Sequence, residues 1–259
     1  VDTIDIKLDT SGIARLTLAR PEKHNAMNAR MIAELTEAAA QLDQAKDVRV
    51  VILAGQGKSF CAGGDLDWMR DQMQADGKTR RIEATKLAMM LNALNQLSKP
   101  LIGAVHGNCF GGGVGLVSVC DIAVCADHVR FGLTETRLGL IPATIGPYVV
   151  ARLGEAAARR VFMSARLFNA SEAVDLGVVA QSCAVDALDE AVMAQARPYL
   201  EAAPGAVAAA KALVRTLGGT VDETQIAESI DALVERWESQ EAAEGIAAFF
   251  EKRKPNWSG

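Results

Sequence analysis

His106-Gly107-Asn108-Cys109-Phe110-Gly111-Gly112-Gly113 closes a short apolar run and leads into Val114-Gly115-Leu116-Val117-Ser118, a segment apolar enough to be buried. Consecutive glycines ahead of an apolar helix strip side chains from its first turn. There the backbone N–H groups lack intrahelical acceptors and the helix dipole favours negative charge. A second glycine element, Cys61-Ala62-Gly63-Gly64-Asp65-Leu66, follows another apolar run. Each is a tight turn on the plainest reading, because glycine serves conformation first. Side by side, two such loops could clamp one developing oxyanion.

Outward from these loops, apolar runs too short for helices recur at 13–18, 48–54, 101–105, 122–126 and 178–183, each flanked by turn residues. They predict buried strands. Helical patterns lie between them at 29–45, after Asn28 as N-cap, at 81–97 and at 155–164, so the fold class is α/β: a layered sheet with covering helices. Residues 101–120 carry no Lys, Arg, Asp or Glu, the length of a membrane helix, but six glycines with His106 and Asn108 predict strand, tight loop and buried helix instead. The polar stretch 71–80 predicts a mobile surface loop. From about residue 187 strand signals stop, and Pro198, Pro204 and Gly218-Gly219 punctuate successive helices. A boundary near residue 190 follows, with a core over 1–190 and a helical region over 191–259. In that region Ile226, Ile230, Leu233 and Trp237 form one apolar stripe, facing a core or a partner subunit.

The 259 residues are 50% hydrophobic and 23% charged, which suits one large globular domain or one with a small appendage. A net charge of −5 without a basic stripe predicts no nucleic-acid partner. Five cysteines, odd in number and without C-x-x-C spacing, predict free buried thiols in a reducing compartment. The first twenty residues alternate apolar and polar and lack a signal peptide's segments, so a cytoplasmic location without membrane contact is expected. Gly55-Gln56-Gly57-Lys58-Ser59 fails as a phosphate loop because Ile52 stands where its first glycine belongs. His24, His106 and His128 lack H-E-x-x-H spacing and no G-x-S-x-G surrounds Ser118, so neither metal nor serine-hydrolase chemistry has support.

Taken in order, the motifs resemble the enoyl-CoA hydratase/isomerase superfamily, the crotonase fold. The resemblance runs from Leu18-Ala19-Arg20-Pro21-Glu22-Lys23-His24-Asn25-Ala26-Met27 through 60–66, 107–121 and 131–142. It continues through Ser171-Glu172-Ala173 and Leu176-Gly177-Val178-Val179 to Phe249-Phe250-Glu251-Lys252-Arg253-Lys254-Pro255. It implies a spiral of ββα units with a C-terminal helical trimerisation region, assembled as a homotrimer or a dimer of trimers. It also implies an acyl-CoA substrate and no prosthetic group, coenzyme A arriving as part of the substrate. Residue by residue, the backbone N–H groups of Gly64 and Gly112 would be the oxyanion donors. Ala62, Asp65 and Leu66 match the family's CoA-lining segment, and Lys23 and Ala26 its pantetheine and adenine contacts.

Hydratases of this superfamily carry two glutamates. The second matches Glu135 in Phe131-Gly132-Leu133-Thr134-Glu135-Thr136, with a salt bridge to Arg130 or Arg137 as its plain structural alternative; the first position holds Gly115. Related dehalogenases and acyl-CoA hydrolases place an aspartate where this chain has Ala143. The branch hydrating 3-methylglutaconyl-CoA resembles the chain more closely, in Asp65-Leu66-Asp67-Trp68-Met69, Gly113-Val114-Gly115-Leu116 and the run 141–150. A glutamate about 4 Å from a diacid substrate's second carboxylate would repel it by about 4 kcal/mol at an effective dielectric of about 20, so glycine at 115 suits such a substrate. Tyr148, Thr144 and Arg137 are then the expected acyl-pocket partners, with Trp68 as a wall. Two rivals stand: a Δ3,Δ2-enoyl-CoA isomerase using Glu135 alone, and a non-catalytic crotonase-fold binding or scaffold protein.

Overall fold

The computed structural model describes residues 2–219 and 221–258. The strands are β1 (Ile4–Leu8), β2 (Ile13–Leu18), β3 (Val50–Gly55), β4 (Ser59–Cys61), β5 (Leu101–Val105), β6 (Asn108–Phe110), β7 (Ile122–Ala126), β8 (Arg130–Gly132), β9 (Leu167–Asn169) and β10 (Gln181–Cys183). The helices of the core are α1 (Ala29–Gln44), α2 (Leu66–Gln74), α3 (Gly77–Gln96), α4 (Gly112–Ser118), α5 (Gly146–Leu153), α6 (Glu155–Phe162) and α7 (Ala170–Asp175). Four longer helices follow: α8 (Leu188–Glu201), α9 (Pro204–Gly218), α10 (Glu223–Trp237) and α11 (Gln240–Phe250).

Two sheets result, β1-β2-β3-β5-β7-β10 and β4-β6-β8-β9. Beyond the antiparallel β1–β2 pair, every contact in the larger sheet is parallel. Each of β3, β5 and β7 gives way to a short strand in the smaller sheet, so the chain climbs as a spiral of ββα turns. Parallel strands covered on both faces read as unbroken apolar runs, as β3 and β5 do. Successive side chains of a strand point to opposite faces. Val51 and Leu53 accordingly join the main core beneath α1 and α3, while Val50 and Ile52 meet Leu188, Val192 and Ala196 of α8. The boundary expected near residue 190 therefore falls inside a helix that covers the large sheet.

Asn28 caps α1 as expected, accepting from the Met31 N–H at 2.9 Å. The surface loop expected over 71–80 is corrected. It holds the end of α2 and the start of α3, whose N-caps Asp65 and Asp76 accept from N–H groups of their first turns. The strand expected over 178–183 shrinks to β10, because Val178 and Val179 are buried in the turn after α7, where their N–H groups reach the Ala173 carbonyl. On α10, Ile226, Ile230, Val234 and Trp237 are buried, and the helix packs on α3 and α5 of its own chain. All five cysteines are free, four of them buried. Among the described residues no helix is long and apolar enough to cross a membrane.

Candidate active site

The first loop of the site is built by the segment between β2 and α1. His24 and Asn25 take left-handed backbone angles (φ 51° and 54°), which turn the chain sharply. Asn25 is fully buried and holds that turn: its Nδ2 donates to the carbonyls of Gln56 and Ser59 at 2.8 Å, and its Oδ1 accepts from the Arg20 N–H at 2.9 Å. The segment then brackets Gly64, Met27 N donating to Gly63 O at 2.8 Å and Asp65 N to Met27 O at 2.9 Å. Asp65 locks the loop from below. It caps α2 and pairs with Arg20 at 2.9 Å. Burial opposes its charge, but the guanidinium and the α2 N–H groups outweigh that and hold its carboxyl below the usual range.

The second loop carries the consecutive glycines. Gly111 (φ 49°) ties to the smaller sheet through its N–H, which donates to Gly132 O at 2.9 Å. Gly113 sits where a Cβ would lie 2.6 Å from the Cys61 carbonyl, so only glycine lets α4 begin against β4. The backbone N–H groups of Gly64 and Gly112 donate to no backbone acceptor among the described residues. Both glycines line one cavity of about 460 Å³.

Glu135 opens the 3₁₀ turn Glu135–Leu138 and lines the same cavity. Its Oε2 is sealed from solvent without a hydrogen-bond partner, and Glu135 forms no ion pair with Arg130 or Arg137. A Cβ on Gly111 would stand 2.9 Å from its Oε1, so the carboxylate lies against the glycine that precedes Gly112. Burial pushes its pKa up to about 7, its own N–H offsetting little. The group is thus divided between acid and base forms near neutral pH, as a proton-transfer residue needs.

Of the other expected site residues, Ala62, Leu66, Trp68, Thr144 and Arg137 line the cavity. Trp68 lays its six-membered ring 3.8 Å from where a Gly64 Cβ would be, and its Nε1 is buried without a partner. Lys23 and Ala26 lie in the bracketing loop and Asp65 at the N-cap of α2, none of them in the lining, Lys23 exposed with its Nζ 3.4 Å from Asp67. Gly115 and Tyr148 also stand outside the lining. A Cβ on Gly115 would come within 2.4 Å of Ile145 Cγ2, and it is Ile145 that faces the cavity. The Tyr148 hydroxyl is buried without a partner, and burial raises its pKa.

Leu233, Trp237 and Phe249 complete the cavity from α10 and α11, a contribution that sequence reasoning missed. The apolar stripe on α10 contained the signal, since Leu233 and Trp237 belong to it. Glu135 and Arg137 are the only ionisable side chains in the lining among the described residues.

The sequence pattern of the enoyl-CoA hydratase/isomerase family matches residues 9–259. A putative enoyl-CoA hydratase of Thermus thermophilus is 30% identical over 254 residues, spanning 97% of this chain and 100% of that protein. The mevalonyl-coenzyme A hydratase of Aspergillus fumigatus is 34% identical over 259 residues, spanning 97% and 93%. Among solved structures, an enoyl-CoA hydratase from Mycobacterium avium superposes with a TM-score of 0.89 at 31% identity, each chain covered in full.

Proposed function

The chain belongs to the enoyl-CoA hydratase/isomerase family, and we propose that it adds water across the double bond of an α,β-unsaturated acyl-CoA thioester. The observation that carries this reading is Glu135, a carboxylate whose buried Oε2 has no partner among the described residues and whose pKa burial pushes up to about 7, lying against the loop that bears the free N–H of Gly112. With the thioester oxygen between the N–H groups of Gly64 and Gly112, the charge of the enolate formed on addition falls where the donors already point; losing one such donor costs about 10²- to 10³-fold in rate. Glu135 takes a proton from the water whose oxygen bonds to Cβ and returns one to Cα. One O–H bond and the C=C π bond break while C–O and C–H bonds form.

We infer a branched glutaconyl-type acyl group, such as that of 3-methylglutaconyl-CoA. Its second carboxylate would meet Arg137, an exposed residue of the cavity lining without an ion pair among the described residues, and the buried hydroxyl-bearing Thr144. No other carboxylate in the lining repels it, since Ile145 fills the space beside Gly115. The single carboxylate also favours a second reading, isomerisation of a 3-enoyl to a 2-enoyl thioester, which needs one proton shuttle and no water.

Incubation with a panel of enoyl-CoA esters in H₂¹⁸O, read by mass spectrometry, separates the two. Hydration places ¹⁸O at Cβ, with turnover greatest for the glutaconyl ester. Double-bond movement without label would establish the isomerase, and a preference for unbranched monoacids would remove the glutaconyl assignment.

A further inference from the structure

Glu135 presents a positional problem. Among the described residues its carboxylate has no hydrogen-bonding partner on Oε2 and no ion pair, so none of their side chains fixes it in place, and its position depends on the backbone turn that carries it. That turn is closed by Leu140 N donating to Glu135 O at 3.1 Å and by Gly139 N donating to Thr136 O at 3.2 Å. Gly139, in the left-handed region at φ 70°, ends it. Its carbonyl accepts two bonds from Arg236 near the end of α10, from Nε at 3.1 Å and Nη2 at 2.7 Å. Arg236 is itself oriented by Glu241 at the start of α11, 2.6 Å away.

Packing at this corner leaves no slack. A Cβ on Gly139 would be 2.4 Å from the Glu241 carbonyl, and one on Gly245 of α11 would be 2.5 Å from the Leu138 carbonyl carbon. The elbow between α10 and α11 thus grips the acid–base turn through one carbonyl and two bare glycines.

We propose that Arg236 is a positioning residue, which holds the Glu135 turn against the glycine loop by gripping the Gly139 carbonyl. This rests on the reading of Glu135 as the acid–base group. Charged groups that meet this corner include Arg137 on the turn itself, Arg236 on α10 and Glu241 on α11; Glu244 of α11 is occupied by Arg253, and Asp65 by Arg20. Misplacement of a reacting group by about 1 Å can cost about 10²-fold in rate. Release of the turn should also let water reach Glu135 and lower its pKa. Loss of the Arg236 positive charge alone would act in the opposite sense and raise it.

Arg236→Met and Arg236→Lys test this, with Glu135→Gln measured in parallel. For R236M we expect kcat to fall about 10- to 100-fold with KM within about threefold, and the limb of log kcat that reports Glu135 to move to lower pH. R236K, which keeps the charge and a single donor atom in place of the two-nitrogen grip, should recover part of kcat. A lowered melting temperature with kcat and pH profile unchanged would make Arg236 merely structural and overturn the proposal. A limb displaced to higher pH, or a loss confined to KM, would overturn it too. If R236M fails to fold, Arg236→Gln, which loses the charge and the two-point grip, bears the same test, a wild-type kcat and profile contradicting the proposal. An active E135Q would bring down the acid–base reading and this inference with it, whereas an inactive E135Q beside an unaffected R236M would bring down the inference alone.

Discussion

Gly115 faces Ile145 across a gap with no room for a methyl group, a Cβ there falling 2.4 Å from Cγ2 and 2.9 Å from Cβ of the isoleucine. Gly115→Ala should therefore destabilise the fold by about 1–3 kcal/mol, an overpacking cost, and push Ile145 toward the cavity. Thermal melting and turnover check this; a variant with the wild-type melting temperature and rate would show that Ile145 yields freely. Gly115→Glu should impair both glutaconyl and crotonyl substrates rather than exchange one for the other. From sequence alone, Gly115 stood out as a missing carboxylate, and its packing role was invisible because Ile145 lies thirty positions away. Glu135 was legible from its Phe-Gly strand, but its lack of a salt bridge was not, since Arg130 and Arg137 both flank it in sequence.

At the scale of elements, the apolar runs of the large sheet were readable because burial on both faces leaves them unbroken. The α2–α3 region reads as a loop for the opposite reason. Only Gln72 of α2 is buried, so its composition looks like a loop, and the two helix starts rest on single aspartates, Asp65 and Asp76. The two glycine loops were legible as turns. Their convergence was not, because it depends on Asn25 and Asp65, whose bonds join segments 31 to 45 positions apart. Asp65, expected in the coenzyme A segment, is a buried cap and ion pair that hold the loop's shape.

For the whole molecule, the C-terminal helices divide their labour. The stripe of α10 turns inward to α3 and the cavity, while α9 has no buried residue and exposes Leu213, Val214 and Leu217 at 57%, 68% and 77%. An apolar face of this kind is where copies of this chain should meet. Light scattering at micromolar concentration is expected to give a multiple of three chains, the number the family resemblance implies; a monomer would contradict it. In the proposed reaction one carboxylate, Glu135, poised near neutral pH against the glycine loop, moves the proton. The most direct measurement of this is turnover and CoA-ester affinity of Glu135→Gln. Turnover should fall by about 10²- to 10⁴-fold with affinity little changed; a variant within about threefold of wild type would show that Glu135 does not move the proton.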